Sequence, residues 1–459
     1  MEKTNDPSFR DKPVNLDESG NRKWIRAQQP KGKWYTRRTI FAWFCVAFLV
    51  LAPIVKINGN PLMLLDIAHR KFSLMGNLVW AQDTFIMALI MLVGVVSIVL
   101  FTVVFGRLFC GWACPQTIFL EMIFRRIEYI FEGNHRNSAR KQPEGINRTL
   151  LNVGKHASYI VVSVLITNVF VMWFTGPEKL IEIITSPISE NQLGFLFMIG
   201  ISIFYYVVYA FLREQICTFF CPYGRLQGVL LDSKSICVMY DYKRGEPRGK
   251  KDGGDCINCG QCIAVCPTGI DVRNGTQLEC INCTACIDEC NTVMKKVKKP
   301  VNLIRFDSYH GIETGNSSIA NFRTYAYSTV LVILMVVLGF TVSNRSSLDV
   351  SINRMPGTIC QEIDSVTVSN IYNVKIINKT NEQKHITFKL MDIQGGKLQF
   401  TNNITTLEGA KAAESVLMIQ LPKTSIHTRS TDLKVAVYEN DKQITVNTIN
   451  FIGPQKRNK

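Results

Sequence analysis

Cys256-Ile-Asn-Cys259-Gly-Gln-Cys262-Ile-Ala-Val-Cys266-Pro267 is followed, fourteen residues after Cys266, by Cys280-Ile-Asn-Cys283-Thr-Ala-Cys286-Ile-Asp-Glu-Cys290-Asn291. Both runs carry the CxxCxxCxxxC spacing with which bacterial ferredoxins hold Fe₄S₄ cubes, and the first also has the trailing proline. Three closely spaced thiolates can wrap one face of a cube, so the fourth corner must be reached from another part of the chain. In two-cluster ferredoxins the fourth Cys of each run serves the other cluster. On that rule one [4Fe-4S] cluster takes Cys256, Cys259, Cys262 and Cys290, and the second takes Cys280, Cys283, Cys286 and Cys266. A zinc ribbon also uses CxxC pairs, but zinc is satisfied by four ligands and gains nothing from a third such step repeated twice. A disulfide scaffold would spread its cysteines over a small loop-rich domain, whereas eight of these fifteen are bunched between Cys256 and Cys290.

Outward from this segment the chain is apolar in long runs. Hydrophobic residues make up 47% of the 459 and charged residues 19%. Five runs reach the ~17–25 helical residues that cross a hydrocarbon core, near 39–57, 83–105, 157–174, 193–212 and 324–343. Lys and Arg alternate between the connecting segments: ten in 1–38, three in 56–82, eight in 106–156, one in 175–192 and fifteen in 213–323. The positive-inside rule then places the N-terminus and the cysteine runs in the cytoplasm, and an odd number of crossings exports everything after Ser343. The remaining basic residues lie in that exported tail, which translocates largely regardless of charge. The formal charge of +16 therefore records membrane topology, and no nucleic-acid partner is expected. No cleavable signal peptide is expected either, since residues 1–38 are polar and basic.

After residue 345 the period changes to two. Ile371-Tyr-Asn-Val-Lys-Ile-Ile377, His385-Ile-Thr-Phe-Lys-Leu390, Leu433-Lys-Val-Ala-Val-Tyr438 and Ile444-Thr-Val-Asn-Thr-Ile449 alternate around Asn, Gly and Asp turns, which predicts an antiparallel sandwich. Cys360 has no partner there for an intradomain disulfide. The expected fold class is a multi-domain chain: an α-helical membrane domain of five transmembrane helices, an inserted ferredoxin-like 2[4Fe-4S] segment and a C-terminal all-β immunoglobulin-like sandwich. Its parts are a basic tail (1–38), four spans with two thiol motifs (39–235), the cluster segment (236–323), the fifth span (324–343) and the sandwich (345–459).

Two further pairs stand where spans two and four return to the cytoplasmic face: Arg107-Leu-Phe-Cys110-Gly-Trp-Ala-Cys114-Pro115 and Arg213-Glu-Gln-Ile-Cys217-Thr-Phe-Phe-Cys221-Pro222. If the helices continue that far, a spacing of four puts both sulfurs of each pair on one face. Two such faces could meet as four thiols, a soft donor set suited to Cu(I), zinc or an iron–sulfur centre. The structural alternative is a small buried residue before a proline-marked helix end, which the repetition at equivalent positions disfavours. Cys45 and Cys237 read as packing residues. No phosphate-binding loop, dinucleotide fingerprint or Ser/His/Asp constellation is present.

The order of two CxxxCP motifs, a double ferredoxin run, a last span and an exported sandwich resembles, over essentially the full chain, the family of cytochrome c oxidase accessory proteins known as CcoG, FixG or RdxA. Asp66-Ile-Ala-His-Arg-Lys-Phe72 and Gly106-Arg-Leu-Phe-Cys-Gly-Trp-Ala-Cys-Pro-Gln-Thr117 look like signatures of that family. The resemblance implies a polyferredoxin of the bacterial inner membrane that assists maturation of cbb3-type cytochrome c oxidase by reducing Cu(II) to Cu(I). It also implies a cytoplasmic electron donor, and the oxidase or its copper-delivery proteins as partners. Cys110, Cys114, Cys217 and Cys221 match the family's membrane thiols, here expected as copper or redox thiols. Asn291 in place of proline and the additional Cys360 depart from the pattern without touching a proposed ligand. Two other roles remain open at this point: an electron conduit between quinol or a cytoplasmic donor and a membrane reductase, as in NapH- and NosR-like ferredoxins, and a non-enzymatic assembly scaffold.

Overall fold

The computed structural model describes residues 16, 19–67, 71–80, 83–133, 146–249, 253–357, 360–364, 366–391, 393, 395–402, 405–409, 411–426, 430–439 and 442–453. Residues 68–70 of the predicted signature Asp66–Phe72, and most of residues 1–18 of the tail, lie outside these. The chain divides into two compact units, residues 1–54 with 88–338 and residues 55–87 with 339–459.

Four helices among the described residues are long and apolar enough to cross a membrane: Thr84–Phe105, Arg148–Thr175, Gln192–Leu212 and Phe322–Ser343. Twenty-two residues at 1.5 Å each reach about 33 Å, the thickness of a hydrocarbon core. The Phe322–Ser343 helix buries none of its side chains, and Ile333, Val336 and Phe340 are exposed. An apolar surface of that extent is stable only against lipid. This is a membrane protein.

The first predicted span differs. Its helix is Lys33–Leu51, followed by a turn and the short strand Lys56–Ile57, so it starts and stops six residues before the expected 39–57. Its first turns hold Lys33, Arg37 and Arg38, and the uncharged remainder, residues 39–51, reaches only about 20 Å. Its first-turn N–H groups are capped from elsewhere: Asp288 accepts from Trp34 N at 3.2 Å and Tyr35 N at 2.8 Å. Gly32 is required for that approach, since a Cβ there would lie 2.2 Å from Asp288 Cγ. The residues before it follow the cluster segment, with Gln28 N–H donating to the Ala264 carbonyl at 2.9 Å. What composition marked as a tail is thus, from Arg22 on, part of the packing around the cysteines.

The cluster segment is framed by an antiparallel pair, Cys237–Tyr240 with Ile304–Asp307, and by the helix Ala285–Lys296. Val238, Tyr240, Ile287, Met294, Leu303 and Ile304 form its small core together with Cys256 and Cys262.

The second unit is a sandwich of antiparallel sheets. One sheet runs in the order Lys397–Phe400, Ala412–Pro422, Thr367–Asn378, Leu348–Arg354, with Gln361–Glu362 also on the third strand; the other runs Thr406–Leu407, Lys384–Leu390, Ser430–Glu439, Lys442–Ile452. The inward residues alternate as the period predicts: Val368, Tyr372, Val374 and Ile376 from one sheet meet Ile386, Leu433, Val435 and Phe451 from the other. Tyr372 hydroxyl crosses the core to donate to the Asn450 carbonyl at 2.9 Å. The small sheet of Met63–Asp66, Lys71–Leu74 and Asn77–Trp80 belongs to this unit, joined through Asp83, which pairs with Lys379 and Arg345. The division by sequence had left that loop with the membrane domain.

Candidate functional site

Each ferredoxin run curls because two of its residues are left-handed: Asn258 (φ 57°) and Gly260 (φ 69°) in the first, Asn282 (φ 52°) and Thr284 (φ 67°) in the second. Asn and Gly tolerate this conformation, whereas a buried Thr at φ 67° is strained and persists only because its surroundings hold it. The same two positions in both runs turn successive peptide N–H groups inward, the concave nest that accepts an anionic group. The short helix Gln261–Ala264 and the helix Ala285–Lys296 start at these residues.

Two cavities follow from this geometry. One is lined by Cys256, Cys259, Cys262 and Cys290, with Tyr240, Arg273 and Met294 around them. The other is lined by Cys266, Cys280, Cys283 and Cys286, with Cys262 and Thr268 at its edge. Cys286 and Cys290 stand one turn apart on one helix and face different cavities, as the crossed fourth-ligand rule requires. Burial and mutual proximity push the Cys262 thiol up to about 11 and the Cys290 thiol up to about 12, and Cys280 and Cys286 also upward. Four crowded sulfurs around each cavity fit a group that brings its own positive charge, and ligation by iron would deprotonate them outright. Burial would raise the Asp271 carboxyl beside the first cavity, but hydrogen bonds from Arg273, at 2.8 and 2.7 Å, hold it below the usual range.

The CxxxCP helices do not continue as the sequence suggested. The second span stops at Phe105, Gly106 turns left-handed (φ 55°), and a separate short helix Leu108–Trp112 carries Cys110. The fourth stops at Leu212, Arg213 turns at φ 50°, and Cys217 lies on the π-wound turn Ile216–Phe220. Arg213 is held in that unfavourable conformation by a bidentate pair with Glu128, one arm at 3.0 Å. Burial alone would raise the Glu128 carboxyl, but the Arg213 charge holds it below the ordinary range. Cys114 and Cys221 then sit in extended backbone immediately before Pro115 and Pro222, each opening a new helix. The prolines are starters of the next helix, where a missing N–H costs nothing, so each pair straddles a break instead of sharing one helical face.

The two motifs nevertheless meet. Cys110 Sγ lies 3.5 Å from Gln227 Nε2, and the Phe109 and Tyr223 rings pack edge to face at 6.1 Å. Cys114 lies within electrostatic reach of Cys110 and Cys221, and Cys217 of all three others. Burial, with those neighbours, pushes the Cys217 thiol up to about 12. Beside them opens a cavity of about 360 Å³ lined by Arg107, Glu214, Cys217, Arg225, Thr268 and Glu279, among others. Burial raises the Glu279 carboxyl above its usual range.

Through Cys110 these thiols adjoin the second cluster cavity. Cys110 shares a buried core with Ile281, Cys283, Ala285 and Cys286. Gly111 makes the approach possible, since a Cβ there would fall 2.1 Å from the Ile281 carbonyl oxygen. Trp112 Nε1 donates to the Asn282 carbonyl at 3.2 Å, and Arg38 Nε to the Gly111 carbonyl at 2.7 Å. Gln227, Arg107, Gly111 and Asp288 were not singled out from sequence; only the repeated Cys–Pro spacing hinted that their neighbourhood was special. Cys237 and Cys45 pack in apolar clusters, and Cys360 lies against the sandwich core.

Residues 212–252 and 246–309 match a family described as a 4Fe-4S dicluster domain, and residues 87–134 one described as a 4Fe-4S binding domain. Residues 338–454 match the immunoglobulin-like fold at the C-terminus of FixG. The chain is 30% identical over 359 residues to protein RdxB of Cereibacter sphaeroides, covering 73% of this chain and 75% of that protein. It is 29% identical to the nitrogen fixation protein FixG of Rhizobium meliloti, over 75% of this chain and 73% of FixG. The ferredoxin-type protein NapH of Haemophilus influenzae is 25% identical over 210 residues, 38% of this chain and 65% of NapH. With its iron–sulfur segments, apolar helices and C-terminal sandwich, the chain belongs to the FixG/RdxA family of iron–sulfur electron-transfer proteins.

Proposed function

We propose that the chain takes single electrons from a cytoplasmic donor and delivers them, at the CxxxCP thiols, to Cu(II), yielding Cu(I) for the assembly of a cbb3-type cytochrome c oxidase. The observation that carries this reading is the contact between Cys110-Gly111 and the Ile281–Cys283 loop, which puts a membrane-border thiol in the same buried core as the ferredoxin Cys283. When bound, two [4Fe-4S] clusters supply one-electron storage. Cys256, Cys259, Cys262 and Cys290 would hold one and Cys266, Cys280, Cys283 and Cys286 the other. Each turn is balanced: the donor loses one electron and Cu(II) gains it. Soft sulfur around the exit favours the Cu(I) product over Cu(II).

The clusters would face the cytoplasm and the sandwich the periplasm. Gln28, Trp34 and Tyr35 hold on to the cluster segment through Ala264 and Asp288, and Asp83 pairs with Lys379 of the sandwich. Lys33–Leu51 is the fifth crossing in this reading despite its short uncharged stretch, because the positive-inside rule puts the basic residues 1–38 in the cytoplasm and the poorly basic residues 56–82 outside. The exported sandwich then offers its loops to the oxidase or to its copper-delivery proteins. The likeness to a ferredoxin-type protein, NapH, favours as second reading an electron conduit to a membrane reductase.

The test is anaerobic Cu(I) formation by reduced, full-length protein in lipid nanodiscs, read with a Cu(I)-specific chelator. Wild type should convert added Cu(II), and the C110S/C217S double variant should lose at least tenfold in rate. An unchanged rate in that variant removes the thiols from the exit.

A further inference from the structure

We propose that Cys110, Cys114, Cys217 and Cys221 together ligate a third iron–sulfur cluster, of the [4Fe-4S] type, where the two CxxxCP segments meet. The inference rests on the electron-transfer reading above, but not on copper being the acceptor.

Four observations carry it. First, the quartet is one site made by two segments that interlock: Cys110 with Gln227, Phe109 with Tyr223, and Gly224 so close that a Cβ would lie 2.8 Å from the Cys217 carbonyl and 3.0 Å from Arg107 Nη2. Secondly, the backbone treats Cys114 as it treats two of the ferredoxin sulfurs. The Gln116 and Thr117 N–H groups are directed at Cys114 sulfur, as Asn282 N–H is at Cys280 and Ala285 N–H at Cys283. Such N–H···S contacts stabilise ligated thiolates.

Thirdly, the four thiols are mutual neighbours: Cys217 lies within electrostatic reach of Cys110, Cys114 and Cys221, and four thiolates are the number that a cube takes.

Fourthly, the charge is prepared. Arg107 is 5% exposed, lines the cavity with Cys217, and its Nε has no hydrogen-bond partner among the described residues. A buried guanidinium with an unmet donor is costly, and beside four cysteines it is explained by a centre of net negative charge. The family match over residues 87–134 points the same way: that segment is described as 4Fe-4S binding, yet it contains only Cys110 and Cys114. Two sulfurs cannot satisfy a cube, and the Cys217/Cys221 pair is the one that adjoins them.

The consequence is a division of labour at the exit. The quartet holds the centre, and Cys217 exposes one corner of it to the cavity with Arg107, Glu214 and Glu279, where a soluble one-electron acceptor is met without being chelated by all four thiols.

Iron per chain and the Mössbauer spectrum, measured on anaerobically purified, full-length protein, test the proposal. Wild type should hold about twelve irons, four for each Cys₄ set, against about eight if only the ferredoxin runs are loaded. The C110S/C217S variant should lose about four irons while both ferredoxin-type signals persist. About eight irons in both proteins would overturn the third centre. If the variant keeps its iron but stops forming Cu(I), the thiols serve copper directly, and the proposed function survives while this inference fails. If it loses about four irons yet still reduces copper, the centre stands and the exit is elsewhere. Should the double variant not accumulate, the wild-type ratio of twelve or eight decides alone.

Discussion

Two cysteine-rich regions of this chain are built in opposite ways. The ferredoxin quartets come from one continuous stretch, Cys256 to Cys290, whose turns are set locally by Asn258, Gly260, Asn282 and Thr284. The membrane-border quartet comes from pairs more than a hundred residues apart, brought together only when two long helices break at Gly106 and Arg213. A contiguous site carries its geometry in its spacing. An assembled site borrows its geometry from the fold around it, so it should be sensitive to residues that bind nothing.

The contiguous half of the comparison is broken most directly by exchanging ligands on one helix. Cys286 and Cys290 are neighbours on Ala285–Lys296, yet they face different cavities. C286S and C290S should each remove about four irons per chain, from different centres, distinguishable by EPR of the reduced protein. If both variants lose the same signal, the crossed assignment is wrong.

This contrast also explains what could be read before the fold was known. The gathering of the eight cysteines from Cys256 to Cys290 into two sets of four was legible, since ligand spacing in a cube is a local constraint. The apolar runs were legible because a bilayer imposes length, and the sandwich because alternation has period two. The break after Phe105 was not, because an apolar period does not register a single left-handed residue, and Pro115 reads as a helix stop when it is a helix start. Nor was Gly111, whose importance is a carbonyl 170 residues away. The end of the first helix at Leu51 was missed because Ile54, Val55 and Ile57 continue the apolar run while the backbone has already turned into a strand.

The assembled half is sharpened by a substitution that touches no ligand. Gly111 lies within the helix Leu108–Trp112, where exchange to Ala would ordinarily stabilise by about 0.5–1 kcal/mol. Here the new Cβ falls 2.1 Å from the Ile281 carbonyl oxygen. That atom is backbone, fixed between Cys280 and Cys283, and cannot rotate aside. G111A should therefore reverse the usual sign and destabilise by about 1–3 kcal/mol, read as a lower midpoint in anaerobic thermal unfolding. A neutral or stabilising G111A would mean that the two regions do not press together, and would weaken the case for direct transfer between them.

The smallest effect concerns an assembled site with no cysteine in it. Asp83 is buried with Lys379 and Arg345, joining the 55–87 segment to the sandwich across nearly three hundred residues of sequence. Burial pushes its carboxyl up, but hydrogen bonds and charge from Lys379 and Arg345 outweigh that, and its pKa lies below the usual value. A carboxyl with a depressed folded-state pKa adds stability above its unfolded value, near 3.9, and that stability is lost as the pH falls through the folded-state value. The second unit should hold its thermal midpoint down to about pH 4 on this account and lose it below. D83N should cost about 1–2 kcal/mol at pH 7, the lower end for a buried pair because Lys379 keeps Asp349 at 3.3 Å, and should flatten the acid limb. A D83N protein with an unaltered acid limb would show that this carboxylate does not link the loop to the sandwich. Sensitivity to remote residues would then be particular to the thiol quartet, whose geometry must satisfy a metal centre, and not a general property of sites assembled by the fold.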